Sequence, residues 1–287
     1  MDAAKLKTEI PPQEQNQQPG KESEMNPQPI YDDGEPGCGR LKDKVAIITG
    51  GDSGIGRAVA VLYAKEGADV VIAYLNEHED AKQTAADVSK WGKEALLIAT
   101  DVSVEENCKK IIDQTIERFG KLDIVVNNAA IQYEHKTLEE IPSDEWDRTF
   151  KTNIYAHYYL TKYAMPHLKE GSSIICTASV NAFKGNQLLM DYSSTKGAII
   201  AFVRSLALAV AEKGIRVNAV APGPVWTPLI PASFPADEVK NFGKDVPLGR
   251  PGQPVEIAYS YVFLASKEGS YITGQTIHPN GGSVVNA

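Results

Sequence analysis

The stretch Lys44-Val45-Ala46-Ile47-Ile48-Thr49 runs directly into Gly50-Gly51-Asp52-Ser53-Gly54-Ile55-Gly56-Arg57 and then into Ala58-Val59-Ala60-Val61-Leu62-Tyr63-Ala64. The first six residues are a short β-branched apolar run, which reads as a strand buried on both faces of a parallel sheet. The last seven make a good helical segment. Strand, glycine-rich turn and helix together form an anion-binding element. Missing Cβ atoms let the backbone approach a pyrophosphate, and the first N–H groups of the helix point at its charge. The spacing Gly50-x-x-x-Gly54-x-Gly56 differs from the commoner G-x-G-x-x-G, and such a turn alone is often a plain loop. Its place at the head of several strand–helix units favours a dinucleotide site.

Outward from this element the units repeat. The pattern predicts strands at 44–49, 69–75, 94–99, 122–126, 172–177, 215–220 and 275–278. Helices are predicted at about 55–66, 78–90, 104–118, 144–168, 192–212 and 254–265. Apolar runs alternating with amphipathic helices give an α/β fold, a doubly wound parallel sheet covered on both faces by right-handed crossovers. No internal linker interrupts them, so residues 41–287 read as one domain. Thr227 to Pro251 holds five prolines and little periodicity, and reads as a lid-like loop with at most one short helix.

Residues 1–40 differ in character. Glu9 to Gly39 is rich in Gln, Pro, Glu, Asn and Gly and nearly free of large aliphatics, so it cannot offset its ordering entropy by its own core. Two readings stay open: a disordered tail, or an extended arm anchored by Ile30 and Tyr31 on this domain or on a neighbouring subunit. The net charge of −8 and the lack of a basic stripe disfavour nucleic acid and anionic membranes as partners. Cys38, Cys108 and Cys176 are widely spaced and show no C-x-x-C or metal-ligand pattern. Reduced thiols account for them most simply. The start lacks the apolar core of a signal peptide, and no later run reads as long enough to span a bilayer. The expectation is a cytoplasmic protein.

A second signal lies far downstream, in Met190-Asp191-Tyr192-Ser193-Ser194-Thr195-Lys196. Residues four apart share a helix face, so the Tyr192 phenol and the Lys196 ammonium sit one turn apart. A fixed positive charge favours the phenolate and brings proton transfer closer to neutral pH. Alone, such a pair is usually an exposed helix face; together with the glycine-rich turn it suggests acid–base chemistry beside a bound nucleotide.

From Leu41 to Ser283 the chain resembles the short-chain dehydrogenase/reductase family. The family pattern T-G-x-x-x-G-I-G is Thr49 to Gly56 here, and N-N-A-G is Asn127-Asn128-Ala129-Ala130, with alanine for the last glycine. P-G-x-V-x-T is Pro222-Gly223-Pro224-Val225-Trp226-Thr227. The resemblance implies a seven-stranded sheet of order 3-2-1-4-5-6-7 and a catalytic set Asn153, Ser179, Tyr192 and Lys196. It implies hydride transfer between nicotinamide and a carbonyl or secondary alcohol, the substrate being a small alcohol, aldehyde, ketone or sugar. Tyr192 would exchange the proton and Ser179 would hold the substrate oxygen. Lys196 would lower the Tyr192 pKa and bond the ribose, and Asn153 would hold a water for proton relay. The implied cofactor contacts are Gly50, Asp52, Ser53, Gly54, Ile55 and Gly56 in the turn, then Tyr74 and Leu75 after the second strand. Asp101 and Val102 would hold the adenine, although Asp101 or Ser103 could equally cap the helix predicted from Val104. Asn128, Ala129 and Ala130 would line the groove, and Pro222, Gly223, Val225 and Thr227 would face the carboxamide. Val180, Asn181, Ala182, Phe183, Gln187 and Trp226 are expected around the substrate.

Cofactor choice turns on the end of the second strand, Tyr74-Leu75-Asn76, where neither an acidic nor a basic residue stands. Asp52 would repel a 2′-phosphate, and Ser53 stands where many NADP-preferring relatives carry Arg or Lys. The reading leans to NAD, with NADP as the alternative. The five histidines are scattered without ligand spacing, so no metal is expected. Within this resemblance a homotetramer is expected, with helices 144–168 and 192–212 at a dimer interface. The chain looks most like glucose/ribitol dehydrogenase-like or general-stress oxidoreductases. A 3-oxoacyl-thioester reductase of fatty-acid synthesis, or a non-catalytic nucleotide sensor of the same fold, are the alternatives.

Overall fold

A computed structural model of the chain describes Leu6 and residues 9–285. Its centre is a seven-stranded sheet of order β3-β2-β1-β4-β5-β6-β7. The strands are β1 (Val45–Thr49), β2 (Asp69–Tyr74), β3 (Ala95–Ala99), β4 (Ile124–Asn127), β5 (Ser173–Thr177), β6 (Arg216–Val220) and β7 (Thr276–Ile277). All neighbouring pairs are parallel. The order reverses at β1 and β4, so a crevice opens beyond their carboxyl ends.

Side chains that alternate along β1 and β2 feed two separate cores. Ala46, Ile48, Val70 and Ile72 pack with α1 (Gly54–Lys65) and α9 (Pro254–Ala265). Ile47, Val71 and Ala73 pack with α3 (Glu105–Phe119), α5 (Ala156–Ala164) and α7 (Met190–Val210). Both faces are therefore dry, which is why these strands read as unbroken apolar runs rather than as alternation.

The long helix expected over 144–168 is not uniform. It consists of α4 (Ser143–Phe150), a π-helical stretch at Lys151–Tyr155 and α5, ending in a 3-10 turn at Met165–His167. The wide turn centres on Asn153, whose side chain reaches across to another loop. A π-bulge interrupts the helical ladder and re-aims the side chains it carries. The Thr227–Pro251 loop holds a four-residue helix, α8 (Ala236–Val239), among turns.

The expectation that no run could span a bilayer needs correction. Met190–Lys213, α7 with its terminal 3-10 turn, is 24 residues long and contains a stretch of 18 with mean hydropathy 1.4, enough by length and composition. Its inner face packs on the sheet and carries buried Asp191 and Lys196, and Asp191 accepts from Thr149 Oγ1 at 2.7 Å.

Residues 9–39 lie against the α/β body. Ile10 and Met25 are buried with Trp226, Ile230 and Val239 in a third, smaller core. Trp226 Nε1 donates to the Pro27 carbonyl at 2.9 Å, and Ile30 N donates to Gln253 Oε1 at 2.9 Å. Tyr31 donates to Asp87 at 3.0 Å, with the Arg57 guanidinium 5.1 Å from its ring centroid.

Candidate active site

A cleft of about 730 Å³ opens at the carboxyl ends of the strands. Its floor begins at the glycine-rich turn. Gly50 and Gly54 have φ of +62° and +53°, a left-handed conformation that favours glycine. An added Cβ on Gly56 would lie 1.8 Å from the Gly50 carbonyl oxygen. Gly56 thus lets α1 start directly behind the turn and does not itself line the cleft, whereas Gly50, Asp52, Ser53, Gly54 and Ile55 do. Gly54 N is taken by the Glu22 carboxylate, but Gly50, Asp52, Ser53 and Ile55 still border the open cleft ahead of α1, so the residues present fit a dinucleotide.

Threonines and an asparagine fix the strand ends relative to one another. Thr49 Oγ1 accepts from Asn128 N at 2.9 Å and from Ala129 N at 3.0 Å. Asn128 Nδ2 donates back to the Thr49 carbonyl at 3.1 Å, and Thr177 Oγ1 donates to Asn128 Oδ1 at 3.1 Å. β1, β4 and β5 are held in one register at the cleft floor. Asn128, Ala129, Ala130, Pro222, Gly223, Val225 and Thr227 all face the cleft, as do Tyr74, Leu75, Asp101 and Val102 at its far end. Asp101 caps no helix: the N-cap of α3 is Val104, and the Asp101 carboxylate accepts from Ser103 N at 2.8 Å.

Tyr192, Lys196 and Ser179 meet in the same cleft. Tyr192 and Lys196 project from the first turns of α7, and Ser179 follows β5. Burial pushes the Tyr192 phenol up to about 12, and a hydrogen bond with Ser179 draws it part of the way back. Burial pushes the Lys196 ammonium down to about 7. Lys196 Nζ donates to the Thr177 carbonyl at 2.8 Å and stands 5.2 Å from the Tyr192 ring centroid. The expectation that Lys196 depresses the Tyr192 pKa is corrected in this structure: desolvation dominates both groups and favours their neutral forms.

Asn153 stands apart from the cleft. Its Oδ1 accepts from Ile131 N at 2.9 Å, and its Nδ2 donates to the Ile131 carbonyl at 2.8 Å and to Thr195 Oγ1 at 3.2 Å. The amide clamps the loop after β4 to α7, one residue before Lys196. Through these side-chain bonds it is a positioning residue.

Of the residues expected around the substrate, Val180 and Asn181 line the cleft and four do not. Trp226 is fully buried under the arm, and Phe183 packs edge-on against His278. Ala182 and Gln187 also lie outside the lining, which Leu188, Leu189, Leu229, Ile230, Phe234 and Phe242 supply instead.

Two acidic groups near the turn, Glu77 and Glu22, escaped the sequence reading. Glu77, one residue past the predicted strand end, lines the cleft with Asp52. Burial raises both, Asp52 to about 7, with Glu77 pushing Asp52 further up and Asp80 pushing Glu77 further up. Glu22, from the arm, is fully buried. Its carboxylate accepts from Gly54 N at 2.5 Å and from Arg57 Nη1 at 2.6 Å. Nothing in the local sequence around Glu22 signals this contact, which depends on chain segments more than thirty residues apart. Among the described residues no group of three or more His, Cys, Asp or Glu is placed to hold a metal ion.

A family model described as "Enoyl-(Acyl carrier protein) reductase" matches residues 50–283. The chain is 54% identical over 284 residues to a protein of Arabidopsis thaliana named "NADPH-dependent aldehyde reductase 1, chloroplastic", covering 96% of this chain and 98% of that one. It is 50% identical over 285 residues to "Glucose and ribitol dehydrogenase" of Daucus carota, covering 97% and 98%. A crystal structure of a short chain dehydrogenase from Burkholderia cenocepacia in complex with NADP superposes with a TM-score of 0.79 at 32% identity, over 85% of this chain and 98% of that one.

Proposed function

Since the chain belongs to the short-chain dehydrogenase/reductase family and is an NAD(P)-dependent oxidoreductase, we propose that it interconverts small carbonyl compounds and their alcohols with Tyr192 as the acid–base residue and NAD as the preferred cofactor. The observation that carries this reading is the meeting of the Ser179 hydroxyl, the Tyr192 phenol and Lys196 in the cleft floored by the glycine-rich turn.

When held by the glycine-rich turn and the strand ends, a nicotinamide cofactor would supply or accept the hydride. Ser179 donates to the substrate oxygen and stabilises the negative charge that gathers there as the carbonyl is reduced. Tyr192, protonated at neutral pH, delivers its proton to the same oxygen, and in the reverse direction takes it from the alcohol. Lys196, anchored on the Thr177 carbonyl, is placed to hydrogen-bond a ribose and to offset the charge left on Tyr192. Leu189, Leu229, Ile230 and Phe234 give the cleft an apolar side that favours the carbonyl over water at the reacting carbon.

The preference for NAD rests on charge. The basic residues lining the cleft are Arg148, Lys184 and Lys196, from the catalytic half; α1, β2 and the start of α2 (His78–Ser89) contribute Asp52 and Glu77 instead. Carboxylates there suit a ribose diol and oppose a 2′-phosphate. Free cysteines, one of them the exposed Cys38, support a reducing compartment, the cytoplasm. Exposed Tyr155 and Tyr158 on α4–α5 and Leu208 on α7 support assembly through these helices, in keeping with a homotetramer. The net charge of −8 supports small molecules, not nucleic acid or anionic membrane, as partners. Nicotinamide absorbance followed across a panel of aldehydes, ketones and polyols, with each cofactor, tests the reading. No turnover on any of them would refute it, and a strong NADP preference would refute the cofactor assignment.

A further inference from the structure

The arm crosses the mouth of the cleft in five residues. Gln18 pairs its side-chain amide with the backbone of Gln132 in both senses: Nε2 donates to the Gln132 carbonyl, and Gln132 N donates to Oε1 at 3.2 Å. Gln132 follows Ile131, the residue that Asn153 clamps. Gly20 is pressed on the loop after β6, where an added Cβ would fall 2.4 Å from the Pro228 carbonyl oxygen and 3.0 Å from Ala232 Cβ. Only glycine permits that approach. Gln15 N donates to the Pro231 carbonyl at 2.7 Å, fixing the same loop from the other side of the crossing. Two residues past Gly20, the Glu22 carboxylate fastens the arm to Gly54 N and Arg57. Asp80 accepts from Glu22 N at 2.8 Å and so holds the next turn. The loop after β4, the loop after β6 and the glycine-rich turn are thus tied together by one strap. Gln18, Pro19 and Gly20 line the same cavity as Ser179 and Tyr192.

We propose that Gln18-Pro19-Gly20 is the outer wall of the substrate pocket and confines the enzyme to short, polar carbonyls and alcohols, with Gln18 as a specificity-determining residue. On the lid side of the cleft, Leu229, Ile230, Phe234 and Phe242 form an apolar strip that by itself would accommodate a hydrocarbon chain, with Asp237, Glu238, Asn241 and Asp245 lining the cleft beside it. The strap spans the gap between Gln132 and Pro228 through which such a chain would leave. Its amide is already engaged at both atoms by backbone, so the wall is rigid and presents a polar edge. A short hydroxylated substrate fits behind it; a long acyl thioester does not. This inference rests on the oxidoreductase reading above.

Two variants test it without touching Ser179, Tyr192 or Lys196. Gln18→Ala removes the amide pair with Gln132, and Gly20→Val forces the strap away from Pro228. kcat/KM is measured for glyceraldehyde and for a long-chain 3-oxoacyl N-acetylcysteamine thioester. Thermal melting, a fluorescence titration of reduced cofactor and hydrogen exchange over residues 9–31 accompany it. The expected result is a fall of about tenfold or more in selectivity for glyceraldehyde, the range that a pocket wall of this kind controls. The change should be carried by a lower KM for the long substrate. Unchanged selectivity in a folded variant whose strap exchanges faster would overturn the wall. A wild type that binds reduced cofactor yet turns over neither probe removes the reading of short polar carbonyls as its substrates, and the wall with it. Should Gly20→Val fail to fold, Gln18→Ala carries the same test.

Discussion

Replacing Glu22 by alanine asks whether the N-terminal arm belongs to the folded body. The carboxylate is fully buried, with one oxygen on Gly54 N and the other on Arg57. Breaking a buried ion pair by removing one partner costs roughly 3–5 kcal/mol. Two features of the site place the expectation at the low end. Burial and the neighbouring Asp80 and Asp52 push Glu22 up to about 7, so part of its attraction to Arg57 is already offset. Arg57 also keeps other partners, the Asp52 and Asp80 carbonyls at 2.9 and 2.8 Å and Thr84 at 2.9 Å. A loss of about 3 kcal/mol corresponds to a fall in Tm of roughly 6–12 °C for a chain of this size. Glu22→Gln keeps the shape and an acceptor for Gly54 N, and about 1 kcal/mol is expected. The pH dependence adds a second reading. The folded pKa of Glu22 lies above its ordinary 4.5, so the native state holds this proton more tightly than the unfolded chain. The stability it contributes is complete below 4.5 and is lost as pH rises through about 7. The advantage of wild type over Glu22→Gln should therefore be larger near pH 5.5 than near about pH 8.5. Thermal melts across that range are the assay. A fall of under about 2 °C for Glu22→Ala, or a difference growing with pH, refutes the reasoning.

Tyr192→Phe should lower turnover by roughly 10²- to 10⁴-fold while the reduced cofactor still binds with near wild-type affinity, as read by fluorescence titration. With the Tyr192 phenol pushed up to about 12, carbonyl reduction starts from the form present at neutral pH, whereas alcohol oxidation needs the phenolate; kcat/KM for oxidation should rise steadily with pH and that for reduction should not. Glu77→Arg, at the adenosine end of the cleft, should shift the ratio of efficiencies toward NADP by about tenfold, measured with both cofactors on one substrate. Gly56→Ala places a methyl 1.8 Å from backbone that cannot yield, so Tm and cofactor affinity should fall together in paired melts and titrations.

The fold was legible because its core signals are local. Val45 to Thr49 and Asp69 to Tyr74 are apolar on both faces, and the turn between β1 and α1 needs glycine at named positions, so strand, turn and helix could be read without any contact. Sheet order came with the family resemblance rather than from periodicity. The π-helical turn at Asn153 was invisible because Lys151–Tyr155 has ordinary helix formers; what opens the turn is the long-range bond to Ile131. Trp226 was misplaced for a similar reason. Its position beside Thr227 suggested the pocket, but the arm covers it, and an arm of low hydrophobicity gives no periodic signal of where it docks. Glu22 and Gln18 carry their meaning only through contacts with Gly54 and Gln132. The gathering of Ser179, Tyr192 and Lys196 at one cleft was readable, and the docking of Gln18 to Gly20 beside it was not.

The burial of Tyr192 and Lys196 shapes how the proton can move. A phenol held near 12 is a weak acid, yet it can serve as the proton donor proposed for carbonyl reduction, because the developing alkoxide is a stronger base than the phenolate left behind. The difficulty arises afterwards, when a buried phenolate must persist until it is reprotonated. A permanently charged lysine would stabilise that phenolate, but only by keeping a charge buried throughout the cycle. Lys196, pushed down to about 7, lies where a small change in surroundings decides its charge. As negative charge appears on Tyr192, the ammonium form becomes favoured through the opposite-charge interaction across the few ångströms between them. Asn153 acts on this couple from behind: by tying Ile131 to Thr195, it sets where the first turns of α7, and hence both groups, stand relative to the cleft floor.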